Sequence, residues 1–323
     1  MKAIVVREYG DENVLKLEEV PEPVPTAGQI LVDIKVAGVN PVDTYVRAGN
    51  HPTAPPLPFT PGKDAAGVIA AVGDGVTKVA VGDRVYLAGA VSGTYAEKAL
   101  CTETQVWKLP EEATFEQGAG IFVPYATAYR ALFKKAKIRP GEKILIHGAS
   151  GAVGIAAIQW AKNAGAVVFG TAGSTKGWEL VERIGADKVF DHTDPENYLT
   201  EILDATGGVG VDVILEMLAN ENLSKDFYVL AKFGRIVVIG SRGSLEFDPR
   251  LTMGKDATIK GMSLFNASAA EFEEIHAAIS EGLAEGYLEP VVGRSFALSD
   301  AAAAHREIIE SRAFGKIVLS TEC

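Results

Sequence analysis

The sequence predicts an α/β fold in two parts, a β-rich N-terminal part and a doubly wound parallel sheet. Three observations predict it. The stretch from Lys143 to Gly165, KILIHGASGAVGIAAIQWAKNAG, reads as strand, glycine turn and helix in that order. From about Tyr125 onward, short apolar runs alternate with helical ones, the pattern of a parallel sheet with helical crossovers. Before that point, strand-like runs are broken by Gly and Pro.

In the first part the predicted strands are Ala3 to Val6, Ile30 to Val36, Ala66 to Val72, Arg84 to Ala88 and Gln105 to Leu109. Pro21, Pro23, Pro25, Pro52, Pro55, Pro56, Pro58 and Pro61 mark loops and edges, not a helical domain. A helix is expected over Ala126 to Lys134, and Pro140-Gly141 turns the chain into the next strand. Ile144, Leu145 and Ile146 form an apolar run too short for a helix, which reads as a buried parallel strand. Val153, Ala156, Ala157 and Trp160 then fall on one helical face. The alternation continues with strands at Val167 to Gly170, Lys188 to Phe190, Val211 to Leu215, Arg235 to Ile239 and Thr258 to Phe265. Helices fall between them at Trp178 to Ile184, Glu196 to Asp204 and Asn222 to Leu230. Six strands with helical crossovers make a doubly wound sheet.

After Phe265 the pattern changes to a helix, Ala270 to Glu285, and a strand within EPVVGRSFAL. A second helix, Asp300 to Ser311, and a closing strand, Lys316 to Leu319, follow. This tail is too small to bury a core alone and is expected to return to the first part. The predicted domains are therefore 1–123 with 266–323, and 124–265.

A chain of 323 residues is long for one core, which agrees with two domains. Apolar residues at 47% and charged residues at 23% are the proportions of a soluble globular protein. The formal net charge of −11 disfavours nucleic acid or an anionic membrane as the main partner. No apolar run reaches the roughly 20 residues of a membrane span. The start, MKAIVVREYG, lacks the apolar core of a secretory signal. Cys101 and Cys323 make neither a disulfide framework nor a zinc cluster, so a reduced, cytoplasmic compartment is expected.

Gly148, Gly151 and Gly154 suit a dinucleotide: the first two let the backbone approach a pyrophosphate, and the third lets helix and strand pack. An acid about 20 residues further on would accept from a free 2′-hydroxyl and repel a 2′-phosphate. Here that place reads Phe169-Gly-Thr-Ala-Gly-Ser-Thr-Lys176, with no carboxylate. NADPH is the expected cofactor, with Ser174 and Lys176 as candidates for its 2′-phosphate. His192, ending the third strand of the sheet, and Gly240-Ser-Arg-Gly243, ending the fifth, lie where such sheets bind ligands.

Longer phrases resemble the medium-chain dehydrogenase/reductase superfamily over the whole chain. They are AGVNPVDTYVRAG at 37–49, PGKDAAGVIAAVG at 61–73, GDRV at 82–85 and SGTYAEKAL at 92–100. PYATAYRAL at 124–132, HGASGAVG at 147–154, LEMLANENLSKD at 215–226 and GSRGSLEFDPR at 240–250 complete them. Within the superfamily the chain resembles the zinc-free quinone oxidoreductases, and Leu215 to Asp226 looks specific to their ζ-crystallin-like group. The resemblance implies a GroES-like catalytic domain and a Rossmann domain, NADPH as reductant and ortho-quinones as acceptors.

The resemblance also implies roles. Asn40 and Tyr45 are expected beside the nicotinamide, with Asn40 donating to a quinone oxygen and Tyr45 stacking or hydrogen-bonding. Further cofactor positions implied are Tyr125, Thr127, Ser150, Gly151, Ala152, Val153, Gly173, Lys176, His192, Tyr198 and Asn222. Ile239, Gly240, Ser241, Arg242, Met262, Ser263, Leu264 and Lys316 complete them. Zinc alcohol dehydrogenases of the superfamily carry a cysteine in place of Asn40 and a His-Glu pair in place of Lys63 and Asp64. Asparagine and lysine are poor zinc ligands. His51, His147, His192, His276 and His305 are scattered, so no metal site is assembled by spacing. The strand from Thr258 to Phe265 is expected at a sheet edge, which in this superfamily pairs copies into a dimer or tetramer. Two other readings use the same scaffold. One is a reductase of enals, enones or enoyl thioesters with Tyr45 or Tyr125 as acid; the other is an NADPH-binding structural protein of crystallin type.

Overall fold

In the computed structural model, residues 1–322 are described except Thr53, Pro195, Glu196, Arg312 and Ala313. Cys323 and Glu196, the expected start of one helix, lie outside the described residues. The chain begins β1 (Lys2–Val5), β2 (Lys16–Glu19), β3 (Gln29–Val39), α1 (Pro41–Arg47), β4 (Asp64–Val72) and β5 (Arg84–Ala88). It continues β6 (Lys98–Thr102), β7 (Val106–Lys108), α2 (Phe115–Gly118) and α3 (Phe122–Tyr129), which runs on as a π-helical stretch, Arg130–Ala136. Then come β8 (Lys143–Ile146), α4 (Ala152–Asn163), β9 (Val167–Ala172), α5 (Thr175–Arg183), β10 (Lys188–Asp191), α6 (Tyr198–Ala205), β11 (Val211–Glu216) and α7 (Ala219–Val229). β12 (Leu230–Val238), α8 (Arg250–Met253), β13 (Thr258–Gly261), α9 (Ala269–Ala284), β14 (Val292–Ala297), α10 (Ala301–Glu310) and β15 (Lys316–Ser320) complete the chain.

These elements divide into two compact units, Met1–Val123 with Pro290–Cys323, and Pro124–Glu289. The second unit holds a six-stranded, wholly parallel sheet in the order β10-β9-β8-β11-β12-β13. Numbered within the sheet this is 3-2-1-4-5-6, one of the orders of the doubly wound sheet that the alternation predicts. Its central strand β8 is buried along Ile144, Leu145 and Ile146, as a strand flanked on both sides and both faces must be. The first unit holds a seven-stranded sheet in the order β14-β15-β3-β4-β5-β7, with β6 also paired to β3. β1 and β2 form a separate antiparallel pair. The core of this unit includes Ile30, Val32 and Ile34 of β3, Leu87 of β5 and Leu319 of β15. The tail strand thus completes the first unit's sheet.

Several features differ from the sequence reading: β6, α2 and α8 were not expected, and the strand expected over Thr258 to Phe265 ends at Gly261. α1 was not foreseen: Pro41 presets its first turn, and the Asp43 carboxylate accepts the Asn40 N–H at 2.8 Å. β2 is mostly exposed and carries no alternating apolar signal. The return to the first unit falls at 289/290, not at 265/266. α9 stays with the second unit because its acids reach the π-helical stretch and the end of α3. Glu274 accepts from Tyr129 Oη at 2.9 Å and pairs with Lys134, while Glu271 pairs with Arg130. No described helix is long and apolar enough to cross a membrane.

Candidate active site and cofactor loop

The chain leaves β8 at His147 and turns at Gly148, whose φ of +57° is one that glycine adopts without strain. Thr171 of β9 holds the turn: its Oγ1 accepts from Gly148 N at 3.1 Å and its carbonyl accepts from Ala149 N at 2.9 Å. Gly151 caps α4 with no side-chain bond of its own, and a helix N-terminus of this kind suits an anion. A Cβ at Gly154 would lie 2.6 Å from Ala149 Cα and from Gly148 O. A Cβ at Gly170 would lie 2.7 Å from Val181 Cγ1 and 2.8 Å from Ala149 Cβ. Gly148 thus makes the tight turn, and Gly154 the close helix packing, that the spacing predicts. Thr171 and Gly170 belong to the same cradle and were not read from the sequence. Ser150 is buried beside Gly177 at the start of α5.

At the far end of β9, no carboxylate occurs between Phe169 and Lys176. Ser174 caps α5 by accepting from Gly177 N at 3.2 Å, which leaves its hydroxyl hydrogen to donate elsewhere. Lys176 is exposed in the first turn of α5. His192 lies close to Gly173, since a Cβ there would come within 2.7 Å of its Nε2. Tyr198 is buried at the start of α6; burial, with Asp226 and Glu216 nearby, pushes its hydroxyl up to about 12.

On the other side, Gly240 crosses the end of β11 so closely that a Cβ would lie 2.4 Å from Met217 O. The 240–243 loop is held by Asn220, whose Oδ1 accepts from Arg242 N at 2.8 Å and from Ser241 Oγ at 3.3 Å. Asn222, expected at the cofactor, donates to Glu216 Oε1 at 3.3 Å. Ile239 N donates to Glu216 O, and Met262 N to Val238 O. Ser263 presents its carbonyl to Arg130 at 3.0 Å, and Leu264 is buried. Thr127 is buried on α3. Tyr125 is buried too, and its hydroxyl donates to Gln159 Oε1 at 2.8 Å. Burial holds that hydroxyl well above the ordinary tyrosine range, so it is a poor proton donor for a reductase.

Behind the loop lies a cluster that sequence spacing does not reveal. His147 Nε2 is 2.8 Å from Asp226 Oδ1 and 3.6 Å from Glu216 Oε2, and all three residues are buried. Among the described residues these three come close enough to share a metal ion, a proximity that their spacing in sequence does not show. Burial works against a charged imidazole, yet the two carboxylates outweigh it and push His147 up to about 9. Burial and the Asp226 charge push Glu216 up to about 7. The imidazolium thus supplies the positive charge, and the chemistry is that of an ion-paired triad.

In the first unit, Asn40 stands at the junction of β3 and α1 with its side chain enclosed. Its Nδ2 donates to Asp64 Oδ2 at 3.0 Å, and its Oδ1 accepts from Lys316 Nζ at 2.7 Å. Lys316 Nζ also reaches Asp64 Oδ2 at 2.6 Å, and Val123 N donates to Asp64 Oδ1 at 3.0 Å. The Lys316 and Asp64 side chains are 2% and 0% exposed. A second chain of bonds holds the backbone. Arg47 only donates, so His305 Nδ1 accepts from it at 3.3 Å and the ring hydrogen lies on Nε2. That Nε2 donates to Tyr95 Oη at 3.1 Å, and Tyr95 donates to Asp43 Oδ2 at 3.1 Å. Burial pushes Asp43 up to about 6, and burial with Arg47 holds His305 down at about 3, which keeps the imidazole neutral. Tyr45 is half-buried on α1, one turn beyond Asn40. These donors do not suit zinc: the oxygens of Asn40 and Asp64 face a lysine ammonium, and the third position is Lys63. Lys316, expected at the cofactor, has two of its three N–H bonds inside this cluster.

Comparisons with known proteins agree with this architecture. A family model described as "Alcohol dehydrogenase GroES-like domain" matches residues 26–111, and one described as "Zinc-binding dehydrogenase" matches residues 152–281. The chain is 46% identical over 321 residues to the quinone oxidoreductase of Homo sapiens, covering 99% of this chain and 97% of that protein. Its fold matches the Escherichia coli quinone oxidoreductase solved with NADPH, with a TM-score of 0.90 at 29% identity over 99% and 100% of the two chains. It also matches a structure named NAD-dependent alcohol dehydrogenase, with a TM-score of 0.92 at 31% identity over 99% and 100%. With a doubly wound sheet, an acid-free β9 terminus and near-full-length relatives, the chain belongs to the medium-chain dehydrogenase/reductase superfamily, among its ζ-crystallin-like quinone oxidoreductases.

Proposed function

We infer that this chain is an NADPH-dependent quinone reductase. The observation that carries the reading is near-full-length identity, at 46%, to a protein named quinone oxidoreductase. The acid-free end of β9 supports NADPH over NADH, and the glycine cradle fits the pyrophosphate. When bound, NADPH supplies the reducing equivalents; the residues of this chain bind, orient and shield. The N–H groups at the start of α4, with Ser150 to Val153, hold the pyrophosphate. Ser174 and Lys176 hold the 2′-phosphate, and Gly173, His192 and Tyr198 border the adenosine. Ile239 to Arg242, Met262 to Leu264 and Thr127 line the remainder. Tyr125 and Asn222 act one step away, through Gln159 and Glu216.

The first unit meets the acceptor, with an Asn40 amide N–H donated to a quinone oxygen and Tyr45 packed against the ring. A quinone is electron-poor and its reduced form is aromatic, so a neutral hydrogen-bond donor suffices where an alcohol or ketone needs a Lewis acid. Ortho-quinones fit this reading because their two adjacent oxygens offer paired acceptors. β13 is an edge strand, which supports self-association of the chain. With two cysteines in the chain and Cys101 buried as a free thiol, a reduced, cytoplasmic compartment fits.

The test is a competition. Purified protein receives NADPH with an ortho-quinone and a short alkenal at equal concentration, and products are separated by chromatography. The account expects hydroquinone in large excess. Alkenal reduction alone moves the protein to the double-bond reductases, and tight binding of NADPH without product leaves the structural role.

A further inference from the structure

We propose that Lys316 is a positioning residue: its ammonium, with Asp64, fixes the Asn40 amide so that an N–H, and not the carbonyl oxygen, faces the acceptor. This rests on the reading of Asn40 as the residue that meets the quinone.

An asparagine amide can sit in either of two orientations related by a half-turn, and its neighbours choose between them. Here both neighbours choose the same one. Asn40 Oδ1 faces Lys316 Nζ at 2.7 Å, and Asn40 Nδ2 faces Asp64 Oδ2 at 3.0 Å. Turning the amide over would set an NH2 against the ammonium and an oxygen against the carboxylate. Lys316 and Asp64 are bonded to each other at 2.6 Å, so neither is free to follow such a turn. One hydrogen of Nδ2 is held by Asp64, and the other is the one offered to the acceptor.

The fold delivers the lysine to this place. β15 pairs antiparallel with β3, with Ile317 opposite Val39, so Lys316 comes next to Asn40 by register. Its stem passes over Gly38, where a Cβ would lie 2.7 Å from Lys316 Cε and 2.9 Å from Asp64 Cβ. Gly38 therefore keeps open the path that the lysine takes. From the other side the Asn40 backbone N–H is anchored on Asp43, itself tied to Tyr95, His305 and Arg47. Backbone and amide are thus both fixed, and the amide depends on Lys316.

The test is a double-mutant cycle on the full chain. The variants are Asn40→Ala, Lys316→Met, the two combined, and Asp64→Asn with Lys316→Met, which removes the charge pair without stranding a buried carboxylate. The readouts are kcat and KM with an ortho-quinone, and Kd for NADPH by nicotinamide fluorescence. Asn40→Ala should lower kcat by about 100-fold, the lower end of the range for a lost preorganised donor. Lys316→Met, or the neutral pair should the single variant not fold, should lower kcat similarly and leave the NADPH Kd within about twofold. On top of Asn40→Ala, Lys316→Met should add less than about twofold. Multiplying losses would overturn the proposal, as would a tenfold weaker NADPH Kd, because Lys316 would then act on the cofactor directly. Unchanged turnover in Asn40→Ala would overturn it differently, by removing the reading of Asn40 on which it rests.

Discussion

Lys176 and Tyr125 make the residue-scale account testable. Lys176 is an exposed cation on α5, and the stretch from Phe169 to Lys176 carries no carboxylate. Lys176→Ala should raise the KM for NADPH about tenfold and leave that for NADH unchanged, the size expected for one charge-assisted hydrogen bond to a phosphate. Equal changes for both cofactors would remove Lys176 from the 2′-phosphate. Tyr125→Phe should leave kcat with quinone or alkenal within about twofold and lower stability by about 1 kcal/mol, one buried hydrogen bond. A large loss of alkenal turnover would instead make that hydroxyl an acid. The fingerprint glycines and the missing acid were legible in the sequence because their meaning is local. Asn220 was not: two positions from Asn222 on the same helix, it holds the 240–243 loop only because β11 and β12 end side by side. Lys316 was legible as a site residue but not in its partners, which a strand register more than 250 residues long in sequence brings together.

Among the elements, the α4 start and the triad behind it bear most on cofactor binding. A methyl at Gly154 has no room against Ala149 and Gly148. Gly154→Ala should therefore abolish NADPH binding in a fluorescence titration while the chain remains folded by circular dichroism; retained affinity would show that the cradle tolerates displacement. The triad makes stability depend on pH. His147 titrates near 9 in the fold against a reference near 6.5, so its stabilisation is complete below pH 6.5 and is lost as pH rises through 9. Glu216 titrates near 7 against a reference near 4.5, and the same sign applies: stability is lost as pH rises through 7. Unfolding midpoints should thus fall between pH 6 and pH 9.5. His147→Gln should flatten that fall and be less stable than the parent at pH 6, by on the order of 3 kcal/mol at most. An unchanged pH slope in the variant would mean that His147 is not the titrating group. Sequence patterns placed β8, β11 and α7 within a few residues of their ends. They gave no sign that His147, Glu216 and Asp226 meet, because that needs the 3-2-1-4-5-6 strand order as well as the strands.

At the scale of the whole molecule, the alternation of strand and helix was enough to give a doubly wound parallel sheet, but not the order of its strands. The tail was legible as returning to the first unit, and β15 does complete that unit's sheet beside β3. The point of return was not legible, since α9 is kept by ion pairs to Arg130 and Lys134 that no periodicity records. Light scattering in solution should give a mass that is a multiple of 34.1 kDa. A mass of 34.1 kDa itself would contradict the self-association proposed for the β13 edge. The central claim is that this chain reduces quinones with NADPH, and steady-state oxidation of the two nicotinamides with one ortho-quinone tests it most directly. The account predicts rapid turnover with NADPH and a kcat/KM for NADH lower by at least about tenfold, one charged contact's worth of discrimination. Equal use of both cofactors would contradict the reading of Phe169 to Lys176, and absence of turnover with either would contradict the claim itself.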